Sequence, residues 1–201
     1  MSRPTYHHGD LRRALVEAGI ELARSGGADA VVLREVARRL QVSPAAMYRH
    51  FPDREALLGE VAREARRGLA QRMLDELERV QHRDPRARAG LRFRATGRAY
   101  LDFAADEPML LGVAFLPIAP SGDQAEEPSA WHLLGAALDD LVAAGIMPRE
   151  RRAGAEAVAW SAVHGFAALR AGHAFATTGE PEPDPEQILD AIARALEVRT
   201  S

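Results

Sequence analysis

A chain of 201 residues is long enough for one sizeable core or for a small module joined to a larger one, and its apolar content of 47% is ordinary for a globular protein. The absence of cysteine excludes disulfides, thiolate chemistry and cysteine-ligated zinc. The net charge of −3 does not by itself indicate nucleic-acid binding, but residues 1–54 hold nine Arg against six Asp and Glu, so a basic N-terminal part precedes an acidic remainder.

The sequence carries no sign of a membrane segment. No apolar run approaches the roughly 18 residues that a spanning helix needs. The opening stretch MSRPTYHHGD lacks the apolar core of a signal peptide. We therefore expect a cytoplasmic protein that makes no membrane contact.

The first predicted helix begins after Asp10, a candidate N-cap, and runs to about Arg24. Its inward stripe is Leu11, Leu15, Ala18 and Leu22, spaced as on one face of a helix. Gly26 and Gly27 end it, since glycine is the usual residue just past a helix C-terminus.

Two short helices with a tight turn follow. In the first, from Leu33 to Leu40, the apolar positions Leu33, Val36, Ala37 and Leu40 fall at i, i+3, i+4 and i+7. Ser43 before Pro44 marks the start of the second, because serine caps the exposed N–H groups and proline tolerates the first helical position.

The second short helix, Pro44 to Phe51, is poor core material. It turns only Met47 and Phe51 inward. The residues Ala45, Ala46, Tyr48, Arg49 and His50 face outward or sideways. Small residues at its start and a polar end suit a helix that lies in the DNA major groove and meets phosphate.

The rest of the chain keeps a helical period without the alternation of strands, so we predict an all-α fold. A helix from Arg54 to Val80 is expected to connect the N-terminal module to the body, with Gln81–Pro85 as the boundary. Further helices are predicted from Arg86 with a break at Asp106–Pro108, from Ser129 to Ala144, from Arg149 to Ala174 and from Pro185, with a loop over 117–128.

These motifs carry a family resemblance. The string VSPAAMYRHFPDREAL (42–57) resembles the recognition-helix region of the tetracycline-repressor (TetR-type) family of bacterial one-component regulators, and YHHGDLRRALVEAGIELARSGG (6–27) resembles that family's first helix. The stretch YLDFAADEPMLLGVAF (100–115) resembles a corresponding segment of the same family. Trp160, His164 and Gly165 are similar to a Trp-x-x-x-His-Gly signature in the C-terminal domain of one subgroup.

The resemblance implies a helix-turn-helix domain over 1–54, a connecting helix over 55–85 and a ligand-binding, dimerising bundle over 86–201. The implied DNA-binding residues are Arg34, Ser43, Pro44, Ala45, Ala46, Tyr48, Arg49, His50 and Arg54. Tyr48 and His50 would contact phosphates, Arg54 would lie beside the backbone, and Arg49 would either read a guanine edge or hold a phosphate. Residues 1–9 would form either a frayed tail or an arm near DNA.

Two positions depart from the family pattern. Val31, Val32 and Leu33 replace the usual Ser or Thr whose hydroxyl caps the first short helix and touches a phosphate. Gln41 stands where the turn usually has glycine, and a left-handed backbone there costs a non-glycine residue about 1 kcal/mol.

The predicted ligand pocket rests mainly on the resemblance. Each of its aromatic and long apolar candidates could equally be plain core, and His164 could be an ordinary hydrogen-bonded core residue. The candidates are Phe93, Tyr100, Phe103, Met109, Phe115, Trp131, Trp160, His164 and Phe166. The helix around Trp160 is rich in Ala, Ser and Gly, which favours close packing of two such helices in a homodimer.

The sequence thus predicts a homodimeric transcriptional regulator, most simply a repressor, which binds a palindromic double-stranded operator and is released by a small apolar or aromatic effector. We expect no catalytic residues, cofactor or metal, because the seven histidines show no metal-ligand spacing and no phosphate loop or nucleophile motif is present. The alternatives are a small helical enzyme or metal-binding protein with a vestigial DNA module, and a small-molecule carrier that never touches DNA.

Overall fold

The computed structural model describes residues 8–118, 128–177, 179 and 181–198, with side chains from Leu11 onward. Every regular element in these ranges is a helix, which confirms the all-α prediction. Tyr6 and His7 of the predicted arm, and 119–127 of the predicted loop, lie outside the described residues. None of the described helices is both long enough and apolar enough to cross a membrane.

The helix bounds follow the sequence pattern closely, except that the first helix begins at His8, so the predicted N-cap Asp10 lies inside the helix. They are α1 His8–Ala30, α2 Leu33–Arg39, α3 Pro44–His50, α4 Arg54–Arg79, α5 Pro85–Asp106, α6 Pro108–Ala114, α7 Ala130–Ala143, α8 Ala155–Ala171 and α9 Pro185–Ala195. Short 3₁₀ turns at Arg149–Arg151 and Ala174–Thr177 precede and follow α8. The predicted helix over 149–174 therefore begins later than expected, because Gly154 takes a left-handed backbone (φ 77°) as the N-cap of α8.

The described residues form two compact units, one of residues 8–67 with 107–118 and one of 68–106 with the described residues after 127. The division falls inside α4 and assigns α6 to the first unit. The predicted domains 1–54, 55–85 and 86–201, which assign α6 to the C-terminal bundle, stay a prediction.

The first unit is built on α1. This helix is broken at Gly26 and Gly27, where Gly27 has a φ of 64°, so the glycine pair ends it as predicted. Gly19 permits a close approach of α1 to α4, since a Cβ there would lie 2.8 Å from Val61. All five helices of the unit contribute buried apolar side chains, including Leu15, Leu22, Val36, Met47, Phe51, Leu57 and Val113.

Specific contacts explain why α6 belongs with the N-terminal helices. Glu107 accepts hydrogen bonds from the guanidinium of Arg24 in α1, the shorter at 3.0 Å. The carbonyl of Ala114 accepts one from Nη1 of Arg66 in α4, at 2.7 Å. Because these partners are distant in sequence, the periodicity of α6 alone could not have indicated them.

The second unit is centred on α5, which packs against α7, α8 and α9. Its core includes Leu69, Phe93, Tyr100, Leu134, Leu138, Leu141, Val163 and Ile192. Gly97 brings α9 close to α5, since a Cβ there would lie 2.5 Å from Leu189 Cδ2. Arg94 of α5 extends the contact with ion pairs to Asp190 at 2.6 Å and Glu186 at 2.9 Å, both in α9.

Candidate functional site

The start of α3 is fixed by its cap. The Ser43 oxygen accepts a hydrogen bond from the Ala46 N–H at 3.2 Å, and Pro44 occupies the first helical position. The Ser43 hydroxyl still has its own hydrogen to donate to a phosphate. At the other end, the Phe51 N–H donates to the Met47 carbonyl at 3.0 Å, which closes the helix.

The two faces of α3 separate as the sequence predicts. Met47 and Phe51 are each 1% exposed, and they anchor the helix to the first unit. Tyr48 is 57% exposed and Arg49 is also exposed. Ala45 is exposed, whereas Ala46 and His50 are half-buried. The outward face is therefore small at its start and polar at its end, as a major-groove helix requires.

Two arginines of this region lack an acidic partner. Arg34 in α2 and Arg49 in α3 are both exposed, and neither makes a hydrogen bond or ion pair with any residue that the structure describes. Their full positive charge is available to an anionic partner such as a phosphate backbone.

The neighbouring arginines of α2, Arg38 and Arg39, share one acidic partner instead. Glu35 accepts hydrogen bonds from Arg38 at 2.7 Å and from Arg39 at 3.4 Å. These bonds, the one from Arg38 above all, lower the pKa of Glu35 to about 2. Arg34 and Arg49 are thus the stronger candidates for DNA contacts among the arginines of α2 and α3.

Arg54 has a contact that the sequence did not indicate. Its Nε donates to the Val31 carbonyl at 2.8 Å and its Nη2 to the Ala28 carbonyl at 2.6 Å. The side chain ties the start of α4 to the segment before α2. Its role beside a DNA backbone stays a prediction, and only donors outside these two bonds are left for it.

Both departures from the family pattern have the expected local consequences. Val32 is the N-cap of α2 and supplies no side-chain hydrogen bond. Gln41 has a φ of 54°, which confirms the left-handed turn at a non-glycine residue. The turn itself is kept, because the Val42 N–H donates to the Ala37 carbonyl at 3.0 Å.

Sequence reasoning missed a buried charge behind α3. Glu60 of α4 is 3% exposed and accepts hydrogen bonds from Arg12 at 3.1 Å and from Arg63 at 2.6 Å. Burial opposes the charged form, but the two arginines outweigh it and hold the pKa of Glu60 below its ordinary value. A signal was present, since Glu60 interrupts the apolar run around Leu57, Leu58 and Val61.

The second unit contains a separate apolar cavity beneath α9. The residues that line it are Met73, Phe93, Arg94, Thr96, Gly97, Tyr100, Leu134, Ala159, Trp160, Val163, Leu189 and Ile192. The void has a volume of about 20 Å³, which is room for a single water-sized molecule. A larger ligand can enter only if the lining side chains move apart.

Three of the predicted pocket residues, Phe93, Tyr100 and Trp160, line this cavity. Phe103 and Phe166 are buried elsewhere in the unit, the latter against Phe175. Met109 and Phe115 belong to the first unit, so they do not line the cavity.

The two tryptophans and Tyr100 form a chain of ring contacts. Trp131 is 43% exposed, and its ring centroid lies 5.7 Å from that of Trp160. Trp160 in turn meets Tyr100 edge-on at 5.2 Å. The Tyr100 hydroxyl is hydrogen-bonded to Nδ1 of His164 at 2.6 Å, and burial raises the pKa of Tyr100 well above its ordinary value.

The polar groups around the cavity already have partners. The Thr96 hydroxyl donates to the Phe93 carbonyl at 2.8 Å. The Arg94 guanidinium is held by Asp190 and Glu186. A charged ligand would have to compete with these bonds, whereas an apolar one would need only to displace apolar contacts.

The described residues contain no group of three or more His, Asp or Glu side chains that could hold a metal ion. His164 bonds Tyr100, and His132 lies 3.1 Å from the hydroxyl of Ser129.

Two family models match the sequence. The model for bacterial regulatory proteins of the tetR family matches residues 15–61, and the model for the tetracyclin repressor-like C-terminal domain matches residues 93–196. The second match alone covers more than half of the chain. No curated protein matches the chain.

Several solved structures share the fold of this chain. The chain is similar to a protein of unknown function from Rhodococcus sp. RHA1, with 29% identity, a TM-score of 0.72 and coverage of 97% of this chain and 100% of that one. A bacterial regulatory protein in the tetR family from Rhodococcus RHA1 matches with 19% identity, a TM-score of 0.61 and coverage of 94% and 98%. The multidrug binding protein EbrR, complexed with imidazole, matches in fold with 20% identity, a TM-score of 0.54 and full coverage of both chains.

Proposed function

The chain belongs to the tetR family of bacterial regulatory proteins, and from that premise we propose that it is a homodimeric repressor. It acts in the cytoplasm, binds a palindromic operator in double-stranded DNA, and leaves the operator when a small apolar or aromatic molecule binds. The observation that carries the proposal is α3, with Met47 and Phe51 buried on one face and Tyr48 and Arg49 exposed on the other.

In this proposal α3 enters the major groove. Ala45 and Ala46 permit close approach to the bases, and Tyr48 and His50 contact phosphates on either side. Arg49 reads guanine N7 and O6, a contact that its exposed guanidinium can make in bidentate form. Arg34 and the hydroxyl of Ser43 add backbone contacts that fix the register but carry no sequence information.

The outward side of α8 supports the proposed dimer. Val158 is 48% exposed and Leu169 is 49% exposed on this helix. Ser161, Gly165 and Ala168 lie between them, and a Cβ added at Gly165 would meet no atom within 4 Å. Small residues flanked by exposed apolar ones let a second helix approach closely, so a second copy of the chain is the proposed occupant.

The dimer has a simple test. Ala168→Arg places a long, charged side chain on this side of α8, whereas Ala136→Arg makes the same change at an exposed position of α7. Sedimentation should show a monomer for Ala168→Arg and a dimer for both the wild type and Ala136→Arg. A dimer in all three would place the interface elsewhere.

Effector release follows from differential binding. A ligand that occupies the cavity beneath α9 must enlarge it, so the ligand favours a conformation in which the lining is open. It releases the operator only to the extent that this conformation binds DNA less tightly. The satisfied partners of Thr96 and Arg94 favour an uncharged, mostly apolar ligand.

DNA binding is tested by selection from a random duplex library with the purified full chain. We expect enrichment of an inverted repeat whose half-sites lie about one helical turn or more apart. Affinity for the selected duplex should fall steeply as the salt concentration rises. The double variant Arg49→Ala/His50→Ala should no longer bind the selected duplex. An unenriched library, with the dimer intact, would contradict the proposed repressor in its ligand-free form.

A further inference from the structure

The end of α3 depends on a single aromatic ring. Phe51 is the C-cap of α3, and its side chain is 1% exposed. The residues proposed to meet DNA, Tyr48 and Arg49, lie in the turn just before it. The Phe51 ring is buried in the interior of the first unit. Its position therefore affects the orientation of the last turn of α3.

A guanidinium from another helix covers this ring. The Arg12 Cζ atom of α1 lies 5.0 Å from the centroid of the Phe51 ring, within the range of a cation–π contact. The same guanidinium donates through Nη2 to Glu60 Oε1 at 3.1 Å. Arg12 therefore joins α1, the end of α3 and α4 through one planar group.

Glu60 keeps Arg12 in place. The Arg12 side chain is 46% exposed, so on its own it would sample several rotamers in solvent. Glu60 has a side chain that is 4% exposed, and its second oxygen is held by Nη2 of Arg63 at 2.6 Å. A buried carboxylate fixed on one side by Arg63 offers Arg12 a single geometry on the other.

We propose that Arg12 and Glu60 are positioning residues for DNA recognition. Glu60 holds the Arg12 guanidinium against Phe51, and this clamp of Arg12, Glu60 and Phe51 sets the orientation of the last turn of α3. Neither Arg12 nor Glu60 needs to touch DNA for this role. The inference rests on the proposed function of α3 as the DNA-reading helix.

The test compares Glu60→Gln and Arg12→Lys with the wild type on the selected duplex and on a scrambled duplex. Glu60→Gln removes the carboxylate charge, and Arg12→Lys keeps the cation but loses the planar group. The matched control is Arg13→Gln, which removes a neighbouring α1 charge whose partner Glu17 lies 3.5 Å away on the surface.

Both clamp variants should bind the selected duplex roughly 3- to 30-fold more weakly, the range expected for residues that act through others. Their affinity for the scrambled duplex should not change, whereas a lost phosphate contact would weaken binding to both duplexes about equally. Arg13→Gln should bind both duplexes as the wild type does. Circular dichroism at the binding temperature confirms that each variant is folded, because a variant that is only less stable keeps full affinity once folded.

Hydrogen exchange supplies a readout that needs no DNA. In Glu60→Gln and Arg12→Lys, the amides of residues 47–51 should exchange faster, while those of α5 to α9 keep their protection. If Glu60→Gln does not fold, the binding and exchange measurements on the milder variant Arg12→Lys test the clamp by themselves.

Wild-type affinity in both variants, or an equal loss of affinity for the scrambled duplex, would overturn the clamp. Wild-type protein that selects no duplex would overturn the proposed function instead. Exchange would then still show whether the clamp holds α3.

Discussion

The outward face of α3 and the cavity beneath α9 are opposite kinds of surface. On α3 the polar groups point outward, and Arg49 makes no hydrogen bond or ion pair within the described part of the chain. Around the cavity the polar groups of Thr96, Arg94 and Tyr100 all have partners, and the void is only about 20 Å³. The first surface exposes polar groups to a partner, whereas the second is apolar and has room for about one water molecule.

The difference indicates how each surface would be used. A preformed polar face binds a partner whose shape and charge are constant, such as duplex DNA, with little reorganisation. An apolar cavity of this small volume takes up a larger ligand only by changing its own shape, and that change is what allows an effector to shift a conformational equilibrium. The four predictions below test this contrast, from the largest expected effect to the smallest.

Enlarging the cavity should reveal its capacity for apolar ligands. Leu134→Ala removes a lining side chain that is 5% exposed, and should lower the free energy of unfolding by about 2–5 kcal/mol. Benzene should then recover part of the lost stability, because an enlarged apolar cavity stays dry and takes up such a ligand. Thermal melts with and without benzene measure both effects.

The matched control is Leu141→Ala in the same helix, which removes a side chain that is 0% exposed and does not line the cavity. It should be destabilised to a similar degree, with no added response to benzene. If benzene stabilised both variants equally, the cavity beneath α9 would bind apolar ligands no better than any other space in the core.

Removing the guanidinium of Arg49 should weaken specific DNA binding. Arg49→Ala should cost about 1–3 kcal/mol of affinity for the selected duplex and relax the preference at one base pair. Arg39→Ala is the control, because that guanidinium is already 3.4 Å from Glu35. Titrations against duplexes substituted at single positions measure the effect, and an equal loss on every sequence would make Arg49 a phosphate contact.

The clamp behind α3 should give stability a defined pH dependence. The folded-state pKa of Glu60 lies below its unfolded value, so its ion pairs stabilise the fold above pH about 4.3 and the contribution is lost as the pH falls through the folded pKa. Glu60→Gln should be less stable than the wild type by about 1–2 kcal/mol at pH 7, and the gap should shrink in acid. Urea unfolding of both proteins at pH 7 and below pH 4 measures this difference in stability. A difference that did not change with pH would contradict a charged, ion-paired Glu60.

The left-handed turn before α3 should tolerate glycine well. Gln41→Gly relieves the φ of 54°, and should raise the free energy of unfolding by about 0.5–1 kcal/mol, since glycine adopts this conformation without a Cβ clash. Gln41→Ala keeps the Cβ and should gain nothing. Both should keep wild-type DNA affinity, and a loss in Gln41→Gly would indicate that the Gln41 side chain contacts DNA.

Features set by neighbours along the chain could be predicted from the sequence. The cap of Ser43, the inward pair Met47 and Phe51 and the stop at Gly26 and Gly27 all follow from the residues next to them. Each depends on one helical turn or one backbone conformation, so periodicity and propensity were sufficient.

Features set by distant partners could not be predicted. Glu107 and Ala114 of α6 accept hydrogen bonds from Arg24 and Arg66. Arg54 donates to the carbonyls of Val31 and Ala28. Such bonds join residues many positions apart, and no local pattern indicates which of several possible partners is chosen.

The most direct test of the account is a hydroxyl-radical footprint of the wild type and of Arg49→Ala/His50→Ala on the selected duplex. The account predicts two protected patches related by a two-fold axis, with half-sites about one helical turn or more apart, and their loss in the double variant. Protection that survives in the double variant, or a single patch without symmetry, would contradict the claim that α3 reads DNA as part of a dimer.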